Sequence, residues 1–398
     1  MSAFGAREPT TNNAEKEMFF IGDLAQEYTV QYVRSAMQRV LVLGAGKIGS
    51  LVACLLSESG DYEVCLGDIS LDAPKRIVED LGLSRVTPLL LDVRHPDSIS
   101  AYMAAHRFDA VLSSLPYFCN PIVAGLAREH RLHYFDLTED VEVTNQVKVL
   151  STDSPQAFVP QCGLAPGFIS IAAHDLITHF DTVDTVKMRV GALPVHPSNA
   201  LKYSLTWSTD GLINEYGNLC YGIEGGEKVP LLPLEGYETI EVDGLLYEAF
   251  NTSGGLGTLA DTYAGKVRTM NYKTLRYPGH CEKIHLLMKD LKLNEDRETL
   301  KRILEQAIPQ TLQDVVLIYA SVMGMREGAL FEENYVKKIY PQCIKRKLWS
   351  AIQVTTASSL CAVADLVLAT PKQYRGFITQ ESFPLQDVLN NRFGACYR

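Results

Sequence analysis

Two sets of residues in this chain have types and spacings suited to chemistry. The first is Gly44-Ala45-Gly46-Lys47-Ile48-Gly49, followed by Asp68 nineteen positions after the last glycine. Glycines so spaced allow a tight turn, close approach of backbone to a diphosphate and close packing of helix on strand, and an acid about 20 residues further on suits a ribose hydroxyl. Dinucleotide binding is the chemistry expected. Asp68 would repel a 2′-phosphate and Ile69-Ser70-Leu71 offers no arginine to neutralise one, so NAD is expected rather than NADP. The second set is dispersed: Tyr117, Glu139, Asp210, Arg276 and His280. Arg276 carries a planar fork matched to a carboxylate, or is a structural arginine at a strand end. His280 has an unperturbed pKa suited to acid–base work near neutrality, or is a packed turn histidine. Lys202 is either a contact or a solvated surface lysine, and Trp207 reads as an apolar wall.

These residues need elements to hold them. Arg39–Leu43 is a short apolar run rich in β-branched residues and Lys47–Leu56 reads as a helix, which puts the glycines at a strand-to-helix turn. Strands are then expected at Tyr62–Gly67, Leu89–Asp92, Asp109–Ser113 and His133–Asp136, with helices at Ser98–His106 and Pro121–Arg131 between the later ones. This is a doubly wound parallel sheet of the Rossmann type. Ligands in such sheets sit beyond the carboxyl ends of the strands, which adds Asp92, Val93, Ser114, Leu115 and Pro116 to the expected cofactor contacts. It also places Tyr117 and Glu139 along the same crevice.

A Gly-Pro-Gly-rich link, Gln161–Gly167, precedes a helix from Phe168 and suits a crossing into a second domain. Strands at 186–190, 239–242, 269–276, 315–322 and 333–340 mark an inserted α+β domain with a mixed sheet. The helix Ser350–Ala369 is expected to return to the first domain. The division expected is therefore an N-terminal extension over 1–36, a cofactor domain over 37–166 and 350–398, and a substrate domain over 167–349.

Composition narrows the partners. Forty-seven acidic against 37 basic residues give a net charge of −10, which argues against nucleic acid or an anionic membrane as the main partner. No apolar run approaching the ~18 residues of a membrane span is expected. The nine cysteines lack CxxC or His-paired spacing, so reduced thiols in a cytoplasmic protein are expected, with no metal site. No Ser/His/Asp triad or nucleophilic cysteine suggests itself.

Gly191-Ala-Leu-Pro-Val195, Tyr203–Gly211, Glu248-Ala-Phe-Asn-Thr-Ser-Gly-Gly255 and Tyr272–Lys283 occur in this order, with Cys162–Phe168 ahead of them. Together they resemble the saccharopine dehydrogenase-like family, and within it the lysine 6-dehydrogenase branch. The likeness runs from about Met37 to the C-terminal helix. It implies NAD-linked oxidation of the ε-amine of L-lysine to 2-aminoadipate 6-semialdehyde, which cyclises to piperideine-6-carboxylate. Such chemistry needs a proton acceptor, a water site and anchors for the far α-amino and α-carboxylate groups. A homo-oligomer is the expected assembly. In the saccharopine-forming branch the W-S-x-x-G segment carries an arginine where this chain has Asp210, and another near Thr252-Ser253, so two cations suited to a glutamate moiety are missing. Asp210 therefore favours an amine-bearing ligand, or it caps the helix starting near Gly211. The alternatives are a saccharopine dehydrogenase of the same fold and a non-catalytic NAD-sensing Rossmann protein.

Overall fold

A computed structural model describes residues 37–398, and the expected N-terminal extension lies outside the described residues. Apolar runs alternating with helices form the strands β1 (Gln38–Leu43), β2 (Tyr62–Asp68), β3 (Val86–Leu90), β4 (Ala110–Ser113), β5 (His133–Asp136) and β6 (Ala157–Val159). They lie side by side in the order β3-β2-β1-β4-β5-β6, all parallel, which is the doubly wound sheet expected. The order reverses between β1 and β4, so the crevice outside their carboxyl ends is the natural ligand site. The two strand ends are tied there by the Ser114 N–H, which donates to the Leu43 carbonyl at 2.9 Å.

The third strand occupies Val86–Leu90 rather than Leu89–Asp92. Pro88 interrupts the run and lacks an N–H, yet it is accommodated because β3 is the edge of the sheet. Asp92 is consequently in a turn beyond the strand, where it grips Arg94 at 2.7 Å.

The second sheet contains β7 (Thr182–Pro194), β8 (Cys220–Glu224), β9 (Glu227–Leu231), β10 (Glu238–Val242), β11 (Leu245–Asn251), β12 (Val267–Arg276), β13 (Asp314–Arg326) and β14 (Ala329–Ile339). Its main order is β10-β11-β12-β7-β13-β14, with the β8–β9 hairpin attached to β12. The β7–β12 pairing is parallel and the others are antiparallel, so the sheet is mixed as expected. Strands β8, β9 and β11 were not anticipated. The β8–β9 turn is Gly225-Gly226 with φ of +59° and +91°, a hairpin signal present in the sequence.

A small hairpin, β15 (Gln342–Ile344) with β16 (Lys347–Trp349), leads into the helix Ala351–Ala369. Ser350 caps this helix in a reciprocal box with Gln353. The carboxylate of Asp314 accepts from the N–H groups of Ala351 and Ile352 at 2.6 and 3.0 Å. The helix lies between the glycine-loop helix (Lys47–Glu58) and β13, within one core containing Leu51, Val354, Leu360, Val363, Val316 and Ile318. The expectation of no apolar run of membrane length is corrected here: this 19-residue helix is long and apolar enough to span a bilayer. Its apolar character is explained by burial on every face. Beyond it β17 (Gly376–Phe377) adds a parallel strand to β6. The Tyr62 hydroxyl of β2 donates to Asp365 on the helix at 2.6 Å.

Candidate active site

The carboxyl ends of β1, β4 and β5 face the second sheet across a cavity of about 640 Å³. On the nucleotide side its wall comprises Gly46, Lys47, Ile48, Ser114, Leu115 and Pro116. A Cβ on Gly46 would meet nothing within 4 Å, so the backbone there lies open to an approaching group, whereas one on Gly49 would stand 1.9 Å from the Gly44 carbonyl oxygen. The loop therefore has the open cradle and close helix–strand contact that a dinucleotide requires, and its residues fit that group. Asp68 is fixed beside the loop, with Oδ2 accepting from the Ala45 N–H at 2.8 Å and Oδ1 from the Ser70 N–H at 3.0 Å. Lys47 reaches across to donate to the Leu205 carbonyl at 3.3 Å, and partial burial lowers its pKa. Five expected cofactor contacts, Gly44, Gly49, Asp68, Asp92 and Val93, are not among the residues lining the cavity, the first three standing in or beside the glycine turn. Asp92 is engaged by Arg94, and Val93 packs against the apolar cluster beneath the sheet.

On the opposite side Arg276, the last residue of β12, is 3% exposed. Its Nε donates to the Tyr216 hydroxyl at 2.8 Å, and Nη1 donates to Thr274 Oγ1 at 2.7 Å and to the Leu275 carbonyl at 2.8 Å. The Tyr203 ring lies 4.9 Å from the guanidinium carbon. Among the described residues only Nη2 is left without a hydrogen bond; it stands 3.8 Å from Oε2 of Glu215. Burial, opposed by Arg276 and reinforced by Glu139, pushes the Glu215 carboxyl up to about 8.

Glu139 follows β5 and enters the cavity from the nucleotide domain. Its carboxyl is pushed up to about 7, mainly by burial and then by the charges of Asp140, Asp136 and Asp210. Two glycines make room for it. A Cβ on Gly254 would stand 2.3 Å from the Glu139 carbonyl oxygen, and one on Gly211 would stand 3.0 Å from its Oε1 and 2.4 Å from the Trp207 ring. Parts of two dispersed motifs thus converge on Glu139, one on its backbone and one on its carboxylate.

Tyr117, in the short turn Tyr117–Cys119 after β4, also lines the cavity, and burial raises its pKa. Trp207 forms a wall and donates from Nε1 to the Tyr203 hydroxyl at 3.2 Å. Asp210 lines the cavity but is not the helix cap: Ser208 holds that place, its Oγ accepting from the Gly211 N–H at 3.1 Å. Asp210 instead pairs with Lys301 at 2.8 Å. Lys202 points away, donating to the Pro278 carbonyl at 3.1 Å.

The structure does not place His280 in the cavity. It is 1% exposed, with Nδ1 at 2.8 Å from the Leu201 carbonyl and Nε2 at 3.0 Å from the Tyr216 hydroxyl. Burial, together with the nearby Arg276 charge, pushes its pKa down to about 3, so the ring is neutral near pH 7. Its neutral form donates from Nδ1 and accepts the Tyr216 proton at Nε2, leaving the Tyr216 oxygen to accept from Arg276. His280 therefore positions the arginine. Glu248 in turn positions His280, since its carboxylate accepts from the N–H groups of Gly279 and Cys281 at 2.7 and 2.5 Å.

Residues 163–394 match the saccharopine dehydrogenase C-terminal domain, more than half of the chain, and residues 40–158 match the saccharopine dehydrogenase NADP binding domain. The chain belongs to the saccharopine dehydrogenase family. Among curated relatives, the mitochondrial alpha-aminoadipic semialdehyde synthase of Mus musculus is 23% identical over 307 residues, covering 71% of this chain and 31% of that protein. The Rattus norvegicus protein of the same name is 21% identical over 293 residues, with the same coverage. This chain thus spans about a third of the length of those relatives. The apo structure of saccharopine dehydrogenase (L-Glu forming) from Saccharomyces cerevisiae superposes with a TM-score of 0.72 at 17% identity, over 88% of this chain and 96% of that one. That likeness establishes the family's two-sheet fold.

Glu215 went unnoticed in the sequence. Its signal is slight: it stands four positions after Gly211 on the helix Thr209–Gly217, and residues so spaced share a helix face.

Proposed function

We propose that this protein is an NAD-dependent dehydrogenase that oxidises the ε-amine of L-lysine. The observation that carries this reading is the make-up of the cavity's ionisable lining: four acids, Glu139, Asp210, Glu215 and Glu305, that can accept protons or pair with amines, against Lys47 and Arg276. Arg276 is the single guanidinium among these lining residues and keeps one nitrogen free of hydrogen bonds, which suits a ligand with one carboxylate and cationic amines. Saccharopine carries three carboxylates, for which the lining offers only the Arg276 guanidinium and Lys47 as cations.

Gly44, Gly46 and Gly49 with the helix start at Lys47 would hold the diphosphate, Asp68 the adenosine ribose, and Ser114 to Pro116 the nicotinamide end. Bound nicotinamide would supply a hydride acceptor. Glu139 takes the proton that the ε-ammonium must lose before C6 can release hydride, and its raised pKa suits that exchange near neutrality. The imine formed adds water and releases ammonia, giving 2-aminoadipate 6-semialdehyde, which closes on its own α-amine with loss of water. Leu205 and Trp207 keep the rest of the cavity apolar.

Initial rates of reduced-cofactor appearance with L-lysine and with saccharopine, each with NAD and NADP, test the reading. Turnover of lysine with NAD in preference to NADP is expected. Preferential turnover of saccharopine would replace it with the alternative branch, and equal efficiency with NADP would remove Asp68 from the ribose site.

A further inference from the structure

Glu215 is the cavity group that the reaction above leaves unused. Its side chain lines the cavity, the residue is 7% exposed, and among the described residues its carboxylate accepts no hydrogen bond. The nearest cation, Nη2 of Arg276 at 3.8 Å, is beyond hydrogen-bond reach. Burial without a donor disfavours the ionised carboxyl, so an ammonium supplied from the cavity has much to gain by displacing its proton and pairing with the carboxylate. The partner beside it is equally specific. Among the described residues every hydrogen bond that Arg276 makes uses Nε or Nη1, and Nη2 stands 3.8 Å from the Glu215 carboxylate, both residues lining the same cavity.

A guanidinium edge and a carboxylate side by side are the charge complement of one small chemical unit, a carbon that bears both a carboxylate and an ammonium. We propose that Arg276 and Glu215 form a clamp for the zwitterionic head of an α-amino acid, with Nη2 of Arg276 taking the carboxylate and Glu215 taking the α-ammonium. The proposal rests on the preceding reading only in taking the ligand to be an amino acid. It adds what selects that ligand: the α-ammonium is recognised and not merely tolerated. Glu139, which comes from the other sheet, is thereby left for the far end of the side chain. Clamping the head also keeps the α-amine from competing for the site of oxidation.

The test compares binding of L-norleucine, which has the full zwitterionic head and no ε-amine, with hexanoate, which has the carboxylate alone. Calorimetry is done on the full chain with and without NAD. The wild-type protein is expected to bind norleucine at least about tenfold more tightly than hexanoate. Glu215→Gln is expected to weaken norleucine to the level of hexanoate, while hexanoate itself shifts less than about threefold. A purely structural role for Glu215, as counter-ion to Arg276, would move both ligands together, and that result overturns the clamp. So does a wild-type protein that fails to prefer norleucine. If Glu215→Gln no longer binds NAD, Glu215→Asp decides: a shortened carboxylate must weaken norleucine more than hexanoate, and a parallel loss counts against the proposal. Neither ligand can be oxidised at C6, so the outcome is independent of whether lysine proves to be the substrate.

Discussion

The two walls of the cavity are built by different means. The nucleotide wall is local: a helix start and a strand end, contributed by the short segments Gly46–Ile48 and Ser114–Pro116. The substrate wall is mostly side chains, drawn from β12, the helix Thr209–Gly217 and the loop after β5. Such a site depends on local geometry that spacing encodes. The side-chain site exists only once distant segments meet, and its properties come from burial. The carboxyls of Glu139 and Glu215 sit near 7 and 8 because the fold desolvates them, and His280 is kept neutral for the same reason.

This contrast implies that substitutions on the substrate wall should act steeply and through one another. The largest effect is expected from Arg276→Lys, which keeps the charge and loses the fork with its three internal hydrogen bonds. The efficiency of lysine oxidation should fall by roughly a thousandfold, about 4 kcal/mol of transition-state binding, with NAD affinity unchanged. Steady-state kinetics beside NAD titration would show it; a fall below about tenfold would mean that the arginine is only structural.

Glu139→Gln should lower kcat by about a hundredfold or more, the usual contribution of a positioned proton acceptor. In the proposed role the ionised carboxylate is the active form, so wild-type activity should rise with pH through about 7. The Gln variant should lose that limb. An unchanged pH profile would transfer the role to another group.

His280→Asn should raise KM for lysine by about tenfold, or ~1.4 kcal/mol, with little change in kcat, because the ring acts through Tyr216 on Arg276. No limb of the pH profile should disappear, since a group near pKa 3 does not titrate in the working range. Loss of a limb near neutrality would restore His280 to acid–base work.

The smallest effect is expected at Asp210. Its pair with Lys301 is about a third exposed on both sides, and such pairs are worth at most about 1 kcal/mol. Asp210→Asn should therefore alter lysine efficiency by less than about fivefold, with a melting shift of a few degrees at most. A large kinetic loss would show that Asp210 leaves Lys301 for the ligand.

What could be read from the sequence follows the same division. The alternation of strand and helix and the glycine turn were legible because each is a local pattern, and so was the mixed character of the second sheet. Asp92 and Val93 were placed in the crevice because Pro88 obscured where β3 ends. His280 read as an acid–base candidate because its intrinsic pKa suited the work, while the burial that removes it from that work depends on Leu201, Tyr216 and Arg276. Glu215 was invisible for the converse reason: an ordinary glutamate on an ordinary helix becomes distinctive only beside Arg276.

The central claim is that the cavity holds the α-amino acid head against the second sheet and presents C6 for hydride removal. It is tested most directly by following deuterium from specifically labelled L-lysine into the reduced cofactor by mass spectrometry. Lysine deuterated at C6 should deliver one deuterium to the nicotinamide and show a slowed hydride step, while lysine deuterated at C2 should deliver none. Transfer from C2, or no reduction of the cofactor with either label, would contradict the account.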